Sequence, residues 1–128
     1  MLKAFLFVVH IMLKLNINEG YEKPIIVAYT ANSTDRQVQC IACSNNRGRT
    51  FTKYSGNPVI DGKERWGSHH TRDPKFFWQK DSKKWVIVLF KKTGHSIYNS
   101  DDLKNWVYPN HIEGLWECSE LFEFPVRE

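Results

Sequence analysis

The chain has 128 residues, of which 41% are hydrophobic, 25% charged and 14% aromatic. That balance fits one globular domain at most and excludes low-complexity classes. The formal net charge of +4 comes from scattered residues such as Lys83-Lys84, Lys91-Lys92, Arg47 and Arg49. With no long run of like charge and no nucleic-acid-binding motif, nucleic acid is not an expected partner.

The first 18 residues stand apart from the rest. Lys3 precedes an apolar run, Ala4 to Leu13, interrupted by His10. The run is too short to span a bilayer as a helix, so no membrane span is expected. Two readings stay open for residues 1–18. One is a poor signal peptide, with a weak positive start but no small-x-small cleavage site, since Leu15, Asn16, Ile17 and Asn18 follow. The other, which is preferred, is a wrong start or shifted frame.

Beyond residue 20 the chain reads as short strands, with no sustained helical period. Pro24 to Thr30 is an apolar, β-branched run of strand length, followed by polar turn residues Asn32 to Arg36. Val38 to Ser44 and Thr50 to Tyr54 are strands around a turn in which Gly48 can supply a positive φ. Ser55-Gly56-Asn57-Pro58 is turn chemistry. Lys75 to Gln79 and Trp85 to Phe90 flank the polar turn Lys80 to Lys84, and His95 to Asn99 is a further strand. Ser100 to Asn105 turns the chain and Trp106 to Tyr108 leads out. Trp78, Trp85 and Trp106 are expected in the core. Ser44–Phe51 (SNNRGRTF) and Asn99–Trp106 (NSDDLKNW) share a pattern of strand, serine, two Asn/Asp residues, turn and aromatic, with Ser44 and Ser100 56 positions apart. Repeats of about 40–50 residues built from antiparallel strands suggest propeller blades.

The three cysteines, an odd and low count, argue against a disulfide framework. Cys40 and Cys43 form a C-x-x-C, but on a strand they point to opposite faces about 10 Å apart. A disulfide needs Cα atoms within about 7 Å. His69, His70 and Cys118 do not complete a zinc set at sensible spacing, so neither metal nor cofactor is expected.

Two motifs carry chemistry. Arg72-Asp73-Pro74-Lys75 is followed by Phe76-Phe77-Trp78, and Trp116-Glu117-Cys118 by Ser119-Glu120-Leu121-Phe122. Taken singly, the first reads as an extended lead into a strand, because a residue before proline avoids the helical region. In this order, 44 positions apart from Asp73 to Glu117, they resemble glycoside hydrolase family 32, the invertases, inulinases and levanases. PIIVAYT, the strand from Gln39 to Ser44, RGRTFTKY, GNPVI, KKWVIVLF and SDDLKNW resemble the bacterial levanase and inulinase branch. The resemblance covers about residues 24–128 and leaves out 1–18, where the family has a glycine-rich strand upstream. The expected organisation is therefore a non-family segment over 1–18 and a partial propeller domain over 19–128.

The resemblance implies an all-β fold, about two blades of a five-bladed β-propeller with an axial, funnel-shaped site. It implies cleavage of fructosyl bonds in fructans or sucrose with retention, which uses two carboxylates about 5–5.5 Å apart. Glu117 would be the acid/base, a role that requires it to hold its proton near neutral pH. Asp73 would stabilise the transition state by accepting hydrogen bonds from two fructose hydroxyls. Arg72 would hold that carboxylate or contact the sugar and Glu117, its planar fork suiting paired recognition; an ordinary salt bridge is the plainer role. Trp66 would stack on a sugar face or lie buried between blades. His69 and His70 flank the motif. The resemblance also implies export from the cell.

The sequence departs from the family in three ways. No W-x-N-D-P-N-like run, which carries the family nucleophile, is present; Ser119 stands where Pro usually follows Glu-Cys; and Cys43 stands where Tyr is common. About two blades leave apolar faces that need the other blades of the same propeller as partners. The expectation is a chain that alone is unstable or aggregates, and that has no hydrolase activity. Two alternatives remain. A sialidase-like propeller is suggested by SNNRGRTF, close to S-x-D-x-G-x-T-W, and a non-catalytic carbohydrate-binding module by the absent nucleophile.

Overall fold

The structure is a computed structural model and describes residues 3–5, 11–12, 24–32, 36–61, 70–114 and 121. Its described residues form nine strands and no helix: β1 (Lys3–Phe5), β2 (Ile11–Met12), β3 (Ile25–Asn32), β4 (Gln37–Ser44), β5 (Thr52–Lys53), β6 (Thr71–Gln79), β7 (Lys84–Lys91), β8 (Gly94–Ser100) and β9 (Val107–Glu113). They build two antiparallel sheets. One runs β1-β3-β4-β5 with β2 also paired to β3, and the other runs β6-β7-β8-β9. Each follows chain order through its hairpins, as in propeller blades. The sequence expectations hold for the strand cores and differ at the ends. The Thr50–Tyr54 strand shortens to Thr52–Lys53, and the lead-out after Trp106 becomes a full strand to Glu113.

The sheets pack face to face. Ala28, Ile41 and Ile60 meet Phe76, Ile87, Leu89, Tyr98 and Leu103 in one buried cluster. Each fully buried aliphatic or aromatic chain contributes about 1.5–3 kcal/mol from apolar burial. Phe76 stacks on Trp106 at 5.6 Å between centroids, and the Trp106 indole donates to the Leu103 carbonyl at 3.0 Å. The opposite face of the first sheet carries Val27, Tyr29, Ala31, Val38, Cys40 and Ala42. Buried on both faces, β3 reads as a nearly continuous apolar run, while β4 is buried along most of its length although Gln37 and Gln39 alternate with apolar residues at its start. Cys40 belongs to that second face, while Cys43 lies with Ile41 on the first by the alternation of the strand; both are free thiols. Trp85 and Trp106 pack against the core, but Trp78 is 44% exposed. The expectation of a core role for Trp78 is thereby corrected. It covers Trp85 edge-on at 5.1 Å from the outside of the β6–β7 hairpin.

The repeat seen in the sequence is a repeated turn at the same place in each sheet, after the third strand. Ser44 Oγ accepts from the Gly48 amide at 2.8 Å, and Asn46 Oδ1 accepts from the Thr50 amide at 3.0 Å. Ser100 Oγ accepts from the Leu103 amide at 2.9 Å, and Asp102 Oδ1 from the Lys104 and Asn105 amides at 2.9 and 2.8 Å. Arg47 and Leu103, each three residues past its serine, share a positive φ of 61° and 65°. Gly48 has φ 82°, as its place in the turn anticipated.

Those amide bonds, first of all the one from Asn105, hold the Asp102 carboxyl well below the ordinary aspartate value of 3.8. Its stabilisation is therefore complete above pH 3.8 and disappears as the pH falls through the lower folded-state value. Asp102 is exposed, so screening keeps the effect small. Asp102→Ala is expected to cost about 1 kcal/mol at pH 7. The gap from wild type should shrink in urea melts repeated below pH 3.8.

Candidate active site

The first motif lies inside a strand and not ahead of one. Arg72 pairs with Phe90 and Lys75 with Val88, so Asp73 and Pro74 together oppose Leu89. This is a β-bulge, and its cause is Pro74, which has no N–H to give the ladder. At the bulge Asp73 takes φ 57°. The expected extended conformation before proline is thus replaced by a left-handed one, which Asp tolerates better than most residues. A bulge re-aims the side chain it carries, and here that side chain is a carboxylate, about 10% exposed.

The Arg72 guanidinium lies over the Phe90 ring at 4.8 Å, and its Nη1 is 3.2 Å from His70 Nδ1. Its Nε stands 4.0 Å from Asp73 Oδ2, a distant ion pair rather than a hydrogen-bonded fork. Contact with an aromatic face and a histidine thus fixes the guanidinium beside the carboxylate without clamping onto it. Across the sheet Arg72, Phe90, His95 and Ile112 form one cross-strand row. His95 is 3% exposed and meets Phe90 edge-on at 5.6 Å. Burial, and then the neighbouring His111, push its pKa below the usual histidine value, while the Asp73 carboxylate pulls it up. His95 is therefore neutral at pH 7. His111 is held by Ser96, Oγ to Nδ1 3.0 Å.

Of the residues singled out in the sequence, Arg72 and Asp73 are brought together here, with His70 at their side. Glu117, Trp66 and His69 lie outside the described residues, as do Trp116, Cys118 and Ser119. Phe90 and His95 were not singled out, because in a strand an aromatic and a histidine look like core and edge. The signal that could have found Phe90 is register, since pairing β6 with β7 puts it opposite Arg72. Among the described residues no group of three or more His, Cys, Asp or Glu gathers as a metal site would require. No helix among them is long and apolar enough to cross a membrane.

The sequence model described as "Glycosyl hydrolases family 32 N-terminal domain" matches residues 12–128. The levanase of Bacillus subtilis (strain 168) is 46% identical over 114 residues, which are 84% of this chain and 16% of that protein. The extracellular exo-inulinase of Meyerozyma guilliermondii is 38% identical over 110 residues, 80% of this chain and 21% of that protein. Among solved structures, the β-fructofuranosidase of Schwanniomyces occidentalis complexed with fructosyl-erythritol superposes with a TM-score of 0.68 at 40% identity, covering 77% of this chain and 19% of that one. The chain thus spans roughly a fifth of the length of the relatives it matches. The two antiparallel sheets are part of a β-propeller of the kind those enzymes have. With Arg72-Asp73-Pro74 on its bulge and the family's sequence model running from residue 12 to the last, this chain belongs to glycosyl hydrolase family 32, within its N-terminal domain.

Proposed function

We propose that this chain contributes the fructosyl-recognising part of a retaining β-fructosidase site acting on fructans or sucrose. The observation that carries this is the Asp73 bulge, which holds a mostly buried carboxylate beside a guanidinium seated on Phe90. Asp73 accepts hydrogen bonds from two fructose hydroxyls, and these strengthen as the ring flattens toward an oxocarbenium ion. Arg72 supplies positive charge close to that carboxylate, its Nε 4.0 Å from Asp73 Oδ2. Neutral His95 fills the row behind them without adding a competing charge. Glu117 is the acid/base, an assignment that rests on the Trp116-Glu117-Cys118 motif, and Trp66 stacks on the sugar, an assignment that rests on its place just upstream of Arg72-Asp73-Pro74. The named ligands of the relatives, fructose in one Schwanniomyces occidentalis complex and fructosyl-erythritol in another, support a fructosyl substrate.

No W-x-N-D-P-N-like run occurs in these 128 residues, so the chain, where it stays folded, is expected to bind fructose and not to hydrolyse sucrose. The remaining blades of the propeller are its natural partners. Sucrose turnover assays on the purified chain, run beside a fructose titration followed by calorimetry, check this. Turnover by the chain alone would refute the assignment of roles, and absence of any fructose binding would refute the fructosyl reading. The self-bonded Ser44–Phe51 turn is structural and fits either kind of propeller; the sialidase alternative is set aside because the family model that matches residues 12–128 is that of glycosyl hydrolase family 32.

A further inference from the structure

β6 begins the order of its sheet, so among the described residues one of its edges has no strand beside it. At that edge, one residue before Arg72, Thr71 is fully buried and both of its backbone polar groups are taken by glutamines of the other sheet. The Thr71 amide donates to Gln37 Oε1 at 3.1 Å, and the Thr71 carbonyl accepts from Gln39 Nε2 at 2.7 Å. Gln39 is fully buried, and its amide cannot flip. The Thr71 carbonyl can only accept, so Nε2 must face it, and Oε1 is left to accept from Thr30 Oγ1 at 3.0 Å. The backbone of Gln39 is also fixed, donating to the Ile60 carbonyl at 2.7 Å and accepting from the Val59 amide at 2.9 Å. Alternation along β4 puts Gln37 and Gln39 on the face that carries Ile41, the face turned to the second sheet.

The geometry points to Gln37 and Gln39 as positioning residues for Asp73. Their side chains take the place of ladder partners at that edge and clamp the peptide groups of Thr71, so that the bulge two residues on holds its left-handed turn and keeps the carboxylate beside Arg72. A left-handed non-glycine residue persists only when its surroundings over-determine it. On the β7 side Asp73 and Pro74 share one opposing residue, so the ladder there is interrupted. The restraint comes instead from the neighbouring sheet, and it couples the site to the packing of the two blades. This rests on the reading of Asp73 as the fructosyl-stabilising carboxylate.

The test uses the full chain, isotope-labelled, with Gln37→Leu, Gln37→Glu and Gln39→Met. Gln37 is only half-buried, so its variants leave the core intact. Gln37→Leu should speed exchange of the Thr71 amide about tenfold, the loss of one hydrogen bond. It should also shift the Asp73 Cα resonance from its left-handed value toward the extended one and weaken fructose binding about tenfold. Gln37→Glu keeps an acceptor opposite the Thr71 amide and should restore all three. Gln39→Met, of similar size but without the amide, should move the Asp73 resonance in the same direction. If the Asp73 resonance stays at its wild-type position in both Gln37→Leu and Gln39→Met, the glutamines hold the sheets together and do not position Asp73. If Gln37→Glu fails to restore it, the clamp is equally refuted. Should wild type bind no fructose, the fructosyl reading fails, while amide exchange and the Asp73 resonance still decide the clamp.

Discussion

Asp73→Asn should lower the affinity for fructose about 30-fold and leave the stability of the fold within about 0.5 kcal/mol of wild type. The two effects separate for physical reasons. Asparagine is nearly isosteric with aspartate and shares its tolerance of the left-handed region, so φ 57° remains accessible. The ion pair with Arg72 is long, at 4.0 Å and beyond hydrogen-bonding distance, so little direct bonding between the two is lost. Affinity is more sensitive. A charged acceptor makes hydrogen bonds about twice as strong as a neutral one, and two such bonds are lost to neutral ones, about 2 kcal/mol together. Asp73→Ala is the less informative variant, because alanine in the left-handed region costs roughly 1–2 kcal/mol and mixes strain with chemistry. Fructose titration beside urea denaturation of the Asn variant separates the terms. Equal affinity for wild type and variant would remove Asp73 from the sugar site.

The largest loss of stability is expected from Leu89→Ala. Leu89 is fully buried in the cluster shared by the two sheets, and it is the single residue that faces the Asp73-Pro74 bulge. Truncating such a side chain removes its transfer energy and leaves a cavity that rigid neighbours such as Phe76 and Tyr98 close only in part. The cost is about 3 kcal/mol, from a total that for a domain is only about 5–15 kcal/mol. The urea midpoint should fall sharply with an unchanged slope. Val107→Ala, at a site 65% exposed, should change stability by no more than about 0.5 kcal/mol. Similar losses at both positions would mean that the two sheets do not share a core.

What the sequence made legible follows from what local chemistry can encode. The β-branched runs over Ile25–Thr30 and Trp85–Phe90 had to be strands, and Ser44 and Ser100 announced matching turns before their hydrogen bonds were seen. The Arg72-Asp73-Pro74 motif was visible, but its conformation was not. The rule that residues before proline are extended describes an isolated dipeptide, and here pairing with β7 on one side and the glutamines on the other select a bulge. Gln37 and Gln39 escaped notice because polar residues alternating in a strand look like a solvent face. Only the packing of that face against the second sheet, with β6 nearest, turns it inward. Trp78 misled for the opposite reason, since hydrophobicity alone cannot tell a core ring from one that covers another ring from outside.

The most direct test of the assigned chemistry places this chain in a complete propeller. Residues 24–128 would replace the matching stretch of the Bacillus subtilis levanase, which is 46% identical, and hydrolysis of levan and sucrose would be followed in the hybrid and in its Asp73→Asn and Glu117→Gln variants. The expected result is an active hybrid in which either substitution lowers kcat at least about 100-fold, the scale of losing an acid/base or a transition-state contact. An active hybrid whose two variants keep the full kcat would contradict the roles given to Asp73 and Glu117.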